Sequence, residues 1–174
     1  MRILGIDPGS RFTGFGVIDT EGSRLSYLAS GCIRITDTSL PDRLKTIFDG
    51  LTEIVRRHEP DIVAIEKVFM ARNADSALKL GQARGVVLLV PAKFGVGVSE
   101  YAPNVIKKTV VGVGHADKRQ VQMMVRTLLP GCQATSADTA DALAAAICHA
   151  HHRSRRDIAE MARLQPTLVQ GGAS

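Results

Sequence analysis

The sequence predicts an α/β domain: a mixed five-stranded sheet, opening as an antiparallel meander and continuing in parallel strands, with helices on both faces. Three observations carry this. Residues 2–35 hold three strand-like runs separated by turn residues, with no helical period. The remainder alternates helical stripes with short apolar runs of the kind that strands buried on both faces show. The chain has 174 residues and is 45% hydrophobic, enough for one domain with a full core.

The elements follow in order. RILGID is a short strand, and Asp7-Pro8-Gly9-Ser10 a turn signal. FTGFGVID and RLSYLASGCIRI are two more strands, joined by the hairpin turn Glu21-Gly22-Ser23. Leu44, Ile47, Phe48, Leu51, Ile54 and Val55 then form one helical stripe, capped by Ser39 or Thr38, with Pro41 near its first turn and His58-Glu59-Pro60 at its end. DIVAIE is the fourth strand. A helix spans roughly Asn73 to Val90, and VGVSEYA is the fifth strand. Two or three helices follow, near 103–110, near 117–129 with Val121, Met124, Val125 and Leu128 as its stripe, and from about 137 to 152. Residues 1–153 read as a single domain, and 154–174, Arg-rich and then polar, as a flexible tail. A right-handed crossover from the meander sets the first and fourth strands side by side and parallel.

Composition excludes several classes. Aromatics are 4% with no Trp, so Ile, Leu, Val and Ala must build the core. A net charge of +5 suits a polyanionic partner, but equally a merely soluble basic protein. Cys32, Cys132 and Cys148 lack the number and spacing of a disulfide framework or zinc site, which points to reduced thiols and a cytoplasmic protein. The N-terminus carries no secretory apolar segment, and no run of about 20 apolar residues could span a membrane.

Four acids stand at telling places. Asp7 ends the first strand, Glu66 ends the fourth, and Asp138 and Asp141 lie three apart at the start of the last helix, on one face. Each alone has an ordinary explanation: a turn residue, an exposed strand end, or carboxylates favoured by a helix N-terminus. Together they are harder to explain, because ligands of open α/β sheets bind beyond the carboxyl ends of the strands. Gathered carboxylates repel unless a hard cation sits between them, and this constellation points to metal-assisted attack on a phosphate. Lys107, Lys108, Lys118 and Arg119 flank the glycine-rich stretch 110–114, as a solvated face or as phosphate contacts. Arg72 and Lys79 are further candidate phosphate contacts. The Ala77-Gly81-Gly85 stripe leaves one helix face nearly bare, for packing on its own sheet or against another molecule. His149, His151 and His152, read as lying at a helix end, complement the macrodipole there, and His115 sits in the basic loop; none is assigned a role.

The segments GIDPGSRFTGFGVI, AIEKVFMARNADSALKLGQARG, KKTVVGVGHADKRQVQMMV and ADTADALAAAICH, in that order, resemble the RuvC family of Holliday junction resolvases over most of residues 1–152. The resemblance implies a ribonuclease H-like fold and a homodimer that cuts four-way DNA junctions by symmetric paired nicks. It implies a magnesium requirement, with two Mg2+ per site and Mn2+ able to substitute. It assigns Asp7, Glu66, Asp138 and Asp141 as catalytic acids and metal ligands, with two cations about 4 Å apart across the scissile phosphate. Asp7, at the centre of the sheet edge, is expected to bridge them, and ligatable 5′-phosphate and 3′-hydroxyl ends should result. Lys107 and Lys118 are placed near the scissile phosphate, Phe69 in stacking on a base near the junction centre, and the helix of Ala77, Gly81 and Gly85 at the dimer interface. RuvA and RuvB are the implied partners, in recombination and repair. Competing readings are a ribonuclease H-like nuclease for RNA–DNA hybrids or branched DNA, an ATP-binding actin-like or sugar-kinase-like domain, and a non-catalytic junction-binding protein.

Overall fold

The order of elements in this computed structural model is β1 (Arg2–Asp7), β2 (Phe12–Glu21), β3 (Arg24–Arg34), α1 (Leu40–His58), β4 (Ile62–Glu66), α2 (Ala74–Lys93), β5 (Gly97–Tyr101), α3 (Pro103–Val111), α4 (Lys118–Leu128) and α5 (Ala137–Leu164). The structure describes residues 1–9, 11–67, 74–132 and 136–164, and not the side chains of 74, 75 and 154–164.

The five strands form one sheet in the order β3-β2-β1-β4-β5. β1–β2 and β2–β3 are antiparallel, while β1–β4 and β4–β5 are parallel, as the meander and crossover require. Successive side chains on a strand alternate between faces, and that alternation divides the core in two. Ile3, Ile18 and Ala64 pack beneath α3, α4 and α5. Leu4, Ile6, Val17, Val63 and Ile65 pack against α1 and α2.

Ser39 caps α1 by accepting from the Asp42 backbone N–H, and Glu59 ends it in the left-handed conformation at φ 45°. α2 runs through Pro91 to Lys93, beyond the expected end at Val90, because a proline near a helix end forfeits only one backbone donor. Three helices, not two, follow β5.

α5 departs furthest from expectation. Its backbone stays helical to Leu164, past Arg153, where the sequence suggested a tail. Ala140, Ala142, Ala144, Ala145 and Ala146 are fully buried, so the helix rests its backbone almost directly on the sheet. The sheet answers with glycines. A methyl group at Gly5 would overlap the Ala142 carbonyl, one at Gly14 the Asp138 carbonyl, and one at Gly16 the Leu143 side chain. Gly5 pairs with Gly16, and Asp7 with Gly14, so these glycines form one shallow seat across β1 and β2.

The β2–β3 ladder carries a β-bulge. Ile18 pairs with Tyr27 but Val17 pairs with Ala29, leaving Leu28 unpaired and 41% exposed. One extra residue moves the rest of β3 by one position and exchanges its faces.

Candidate active site

Strand alternation aims the first two acids. Asp7 shares the face of Ile3 and Gly5, and Glu66 that of Ala64, so both point toward α5 from neighbouring parallel strands. α5 begins over the same edge. Thr139, only 2% exposed, donates from Oγ1 to the Gly31 carbonyl (3.4 Å), and Ser136 Oγ accepts from the Thr139 backbone N–H (3.2 Å). Those bonds and the Gly14 seat place Asp138 and Asp141 beside Asp7. The loop after Asp7 is held by Thr13, fully buried, whose Oγ1 donates to the Gly9 carbonyl at 3.2 Å.

A cavity of about 380 Å³ opens at this edge. Asp7, Glu66, Asp141, Lys67, Lys107 and Lys118 supply its polar wall; Leu80, Pro103, Ile106 and Val121 contribute an apolar one. Asp138 does not line the cavity but is near enough for its charge to act on Asp7 and Asp141. Burial, followed by the charges of Glu66, Asp141 and Asp138, pushes the Asp7 carboxyl up to about 8. Glu66 and Asp141 are also raised, chiefly by burial; Lys118 and Lys107 oppose the rise in both. Lys118 Nζ stands 3.8 Å from Asp141 Oδ2.

The acidic set suits a hard divalent cation: oxygen donors only, four of them crowded by like charge, with the three lysines that line the cavity, Lys67, Lys107 and Lys118, too few to balance them. Among the described residues no three His, Cys, Asp or Glu side chains draw together into a closed metal cluster. The acids surround a cavity instead, as mutually repelling carboxylates do, and leave room for a phosphate.

Other groups brought here were not evident from sequence. Arg84 of α2 donates from Nη1 to the Glu66 carbonyl (3.3 Å) and pairs through Nη2 with Glu100 of β5. The Lys67 N–H donates to the Tyr101 carbonyl at 2.7 Å, carrying the β4–β5 ladder past Glu66. The signal for the glycine seat was present in the alternation Gly14-Phe15-Gly16; Arg84 carried none, since its partners come from other strands.

Of the remaining candidates, Lys108 and Arg119 are exposed and do not line the cavity. Lys79 is exposed on α2, beside a separate pocket shared with α1. Phe69 and Arg72 lie outside the described residues. Gly81 and Gly85 meet nothing within 4 Å of an added methyl, and Ala77, Leu78 and Leu89 on the same helix are exposed, so this face does not pack on its own sheet. His149, His151 and His152 fall in mid-helix, which removes the macrodipole explanation. Instead His149, 7% exposed, bonds through Nδ1 to the Tyr101 hydroxyl (2.8 Å), and His152 stacks on that ring at 5.3 Å. His115 is exposed.

The family model described as crossover junction endodeoxyribonuclease RuvC matches residues 3–149. A protein of that name from Rhodopseudomonas palustris (strain TIE-1) is 56% identical over 154 residues, 88% of each chain. Another, from Klebsiella pneumoniae (strain 342), is 54% identical over 169 residues, 97% of this chain and 96% of that one. Among solved structures, Thermus thermophilus RuvC in complex with a Holliday junction substrate superposes with a TM-score of 0.84 at 33% identity, covering 90% of this chain and 96% of that one. The yeast mitochondrial Holliday junction resolvase Ydc2 shares the fold, with a TM-score of 0.65 at 12% identity over 92% of this chain and 84% of its own.

Proposed function

Because this chain belongs to the RuvC family of crossover junction endodeoxyribonucleases, we propose that it resolves four-way DNA junctions by hydrolysing one phosphodiester bond in each of two opposed strands. The observation that supports this best is the gathering of Asp7, Glu66 and Asp141, from two strand ends and a helix start, around one cavity that Lys107 and Lys118 also border, with the charge of Asp138 acting on Asp7.

The four carboxylates would hold Mg2+, with two ions per site and Mn2+ as a substitute. A bound divalent cation supplies an activated water and stabilises charge on the phosphate. Asp7, flanked by the other acids, would be the ligand that the ions share. Lys107 and Lys118 position the phosphate and offset charge developing on it. Leu80, Pro103, Ile106 and Val121 limit water on one side, which strengthens those interactions. The products are 5′-phosphate and 3′-hydroxyl ends. Lys108, Arg119, Lys79, Arg72 and Phe69 are carried forward as DNA contacts, and residues 1–153 as the nuclease domain. The free cysteines suit a reducing cytoplasm, and among the described residues no helix is long and apolar enough to cross a membrane. RuvA and RuvB remain the partners that the family suggests.

The test is cleavage of a labelled synthetic four-way junction and a matched linear duplex, each with magnesium and with chelator. Paired ligatable nicks in the junction alone, lost with chelator, are expected. Equal cutting of the duplex would favour a less selective ribonuclease H-like nuclease.

Lys118→Ala should separate stability from chemistry. Lys118 is 72% exposed, so its ion pair with Asp141 adds little to the fold. Junction cleavage should fall by roughly 10²-fold, the scale of removing one preorganised donor, with Tm nearly unchanged by calorimetry.

Two nicks call for two sites, and the exposed face of α2 is the surface we assign to a two-fold dimer. Gly85→Arg would put a long charged side chain in that face. Sedimentation should shift from dimer toward monomer, with circular dichroism unchanged and paired nicking replaced by slow single nicks.

A further inference from the structure

On the side of the acids away from Lys107 and Lys118, the sheet presents a second basic feature that the function above does not use. Phe12 opens β2 and pairs with Arg34 at the end of β3; one step inward, Gly14 pairs with Cys32 on one side and Asp7 on the other. Directly paired residues share a face, so Phe12, Arg34 and Cys32 all lie on the face of Asp7. The charges around Cys32 agree: its thiol is raised by burial and by Asp138 and Asp7, and lowered by Arg34. Phe12 is 42% exposed, with the Arg34 guanidinium over its ring at 5.8 Å. Among the described residues no salt bridge holds Arg34; Asp7 and Asp138 act on the neighbouring Cys32. A cation beside an acidic centre, seated on an aromatic shelf and open to solvent, is arranged to meet an external anion.

We propose that Arg34, supported by the Phe12 ring, binds a phosphate of the cleaved DNA strand on the flank of the scissile bond opposite Lys107 and Lys118. β3 lies two strands from β1, roughly 10 Å at ordinary sheet spacing, the axial rise of about three nucleotides of one strand. A guanidinium holds a phosphate in a bidentate fork while its plane stays stacked on the ring. With lysines on one flank and Arg34 on the other, the strand is gripped on both sides of the bond to be broken. This rests on the nuclease reading, since it takes the scissile phosphate to lie at the acids.

The test is junction binding, with calcium in place of magnesium to suppress cutting, between 50 and 200 mM salt. Arg34→Gln should bind several-fold more weakly and show a log–log salt slope shallower by about 0.9, the contribution of one phosphate contact. Arg34→Lys should restore the slope and only part of the affinity, because the stacked fork is lost. A second measurement needs no variant: neutral methylphosphonates scanned along the cleaved strand should weaken wild-type binding at a phosphate about three nucleotides from the cut. That penalty should vanish in Arg34→Gln. An unchanged slope in folded Arg34→Gln, or no sensitive phosphate on that flank, overturns the proposal. Wild-type protein that neither binds nor cuts junctions would instead overturn the nuclease reading beneath it.

Discussion

Asp7→Asn should abolish junction cleavage and at the same time stabilise the metal-free protein. Loss of the proposed cation ligand should lower the rate by at least about a thousandfold, the scale of losing a principal electrostatic stabiliser. The gain in stability follows from crowding. Burial and three neighbouring carboxylates raise Asp7 to about 8, from an ordinary value of 3.8. Between those values the native protein holds a proton that the unfolded chain has released, so wild-type stability falls as pH rises through this window. Asparagine removes the titration. The gain should be absent below pH 3.8, grow through the window and level off near pH 8, reaching on the order of 5 kcal/mol at about 1.4 kcal/mol per pH unit. That is on the order of 10–20 °C in Tm at roughly 2–4 °C per kcal/mol for a chain of this size. Differential scanning calorimetry in chelator at pH 4 and pH 8 checks it. A variant less stable than wild type at pH 8 would mean that the four acids are not mutually repulsive.

Gly14→Val should damage both the fold and the site. Its side chain would enter the space of the Asp138 carbonyl, and the neighbour is helix backbone, which cannot turn aside as a flexible side chain can. The start of α5 must lift or the strand must bend, costing about 1–3 kcal/mol. The lift also carries Asp138 and Asp141 away from Asp7. A displacement of about 1 Å in a positioned group costs near 10²-fold in rate. Cleavage should therefore fall by roughly that factor at temperatures where the variant is still folded by circular dichroism, with a higher magnesium concentration needed for half-maximal activity. A folded variant with wild-type magnesium dependence would sink this account of the glycine seat.

Much of the site could be read directly from sequence because its signals are local. Asp7 and Glu66 each end an apolar run, and two strand ends in a parallel pair must lie at one edge. Asp138 and Asp141 share a helix face whatever that helix packs against. The two helix faces of the sheet and the parallel β1–β4 pairing were legible in the same way. What escaped depends on register or on distant partners. Counting back from the turn at Gly22 sets Phe12 opposite Ile33; the bulge at Leu28 makes the partner Arg34 and turns that arginine onto the face of Asp7. No periodicity announces a bulge. Arg84 looks like any helix arginine until β4 and β5 are placed beside it. The histidines were misread because the length of α5 was: Arg153, Ser154, Arg155 and Arg156 look like a tail, yet the backbone there stays helical.

The acids are drawn from both ends of the chain, and the last pair lies on the final helix of the fold. A ribosome making this protein releases β1 early and α5 last. The strands that carry Asp7 and Glu66 therefore leave the ribosome before the helix that carries Asp138 and Asp141. Under the proposed function, nuclease activity would arrive only with the docking of α5, and a chain that stops short of that helix would lack half of the four acids.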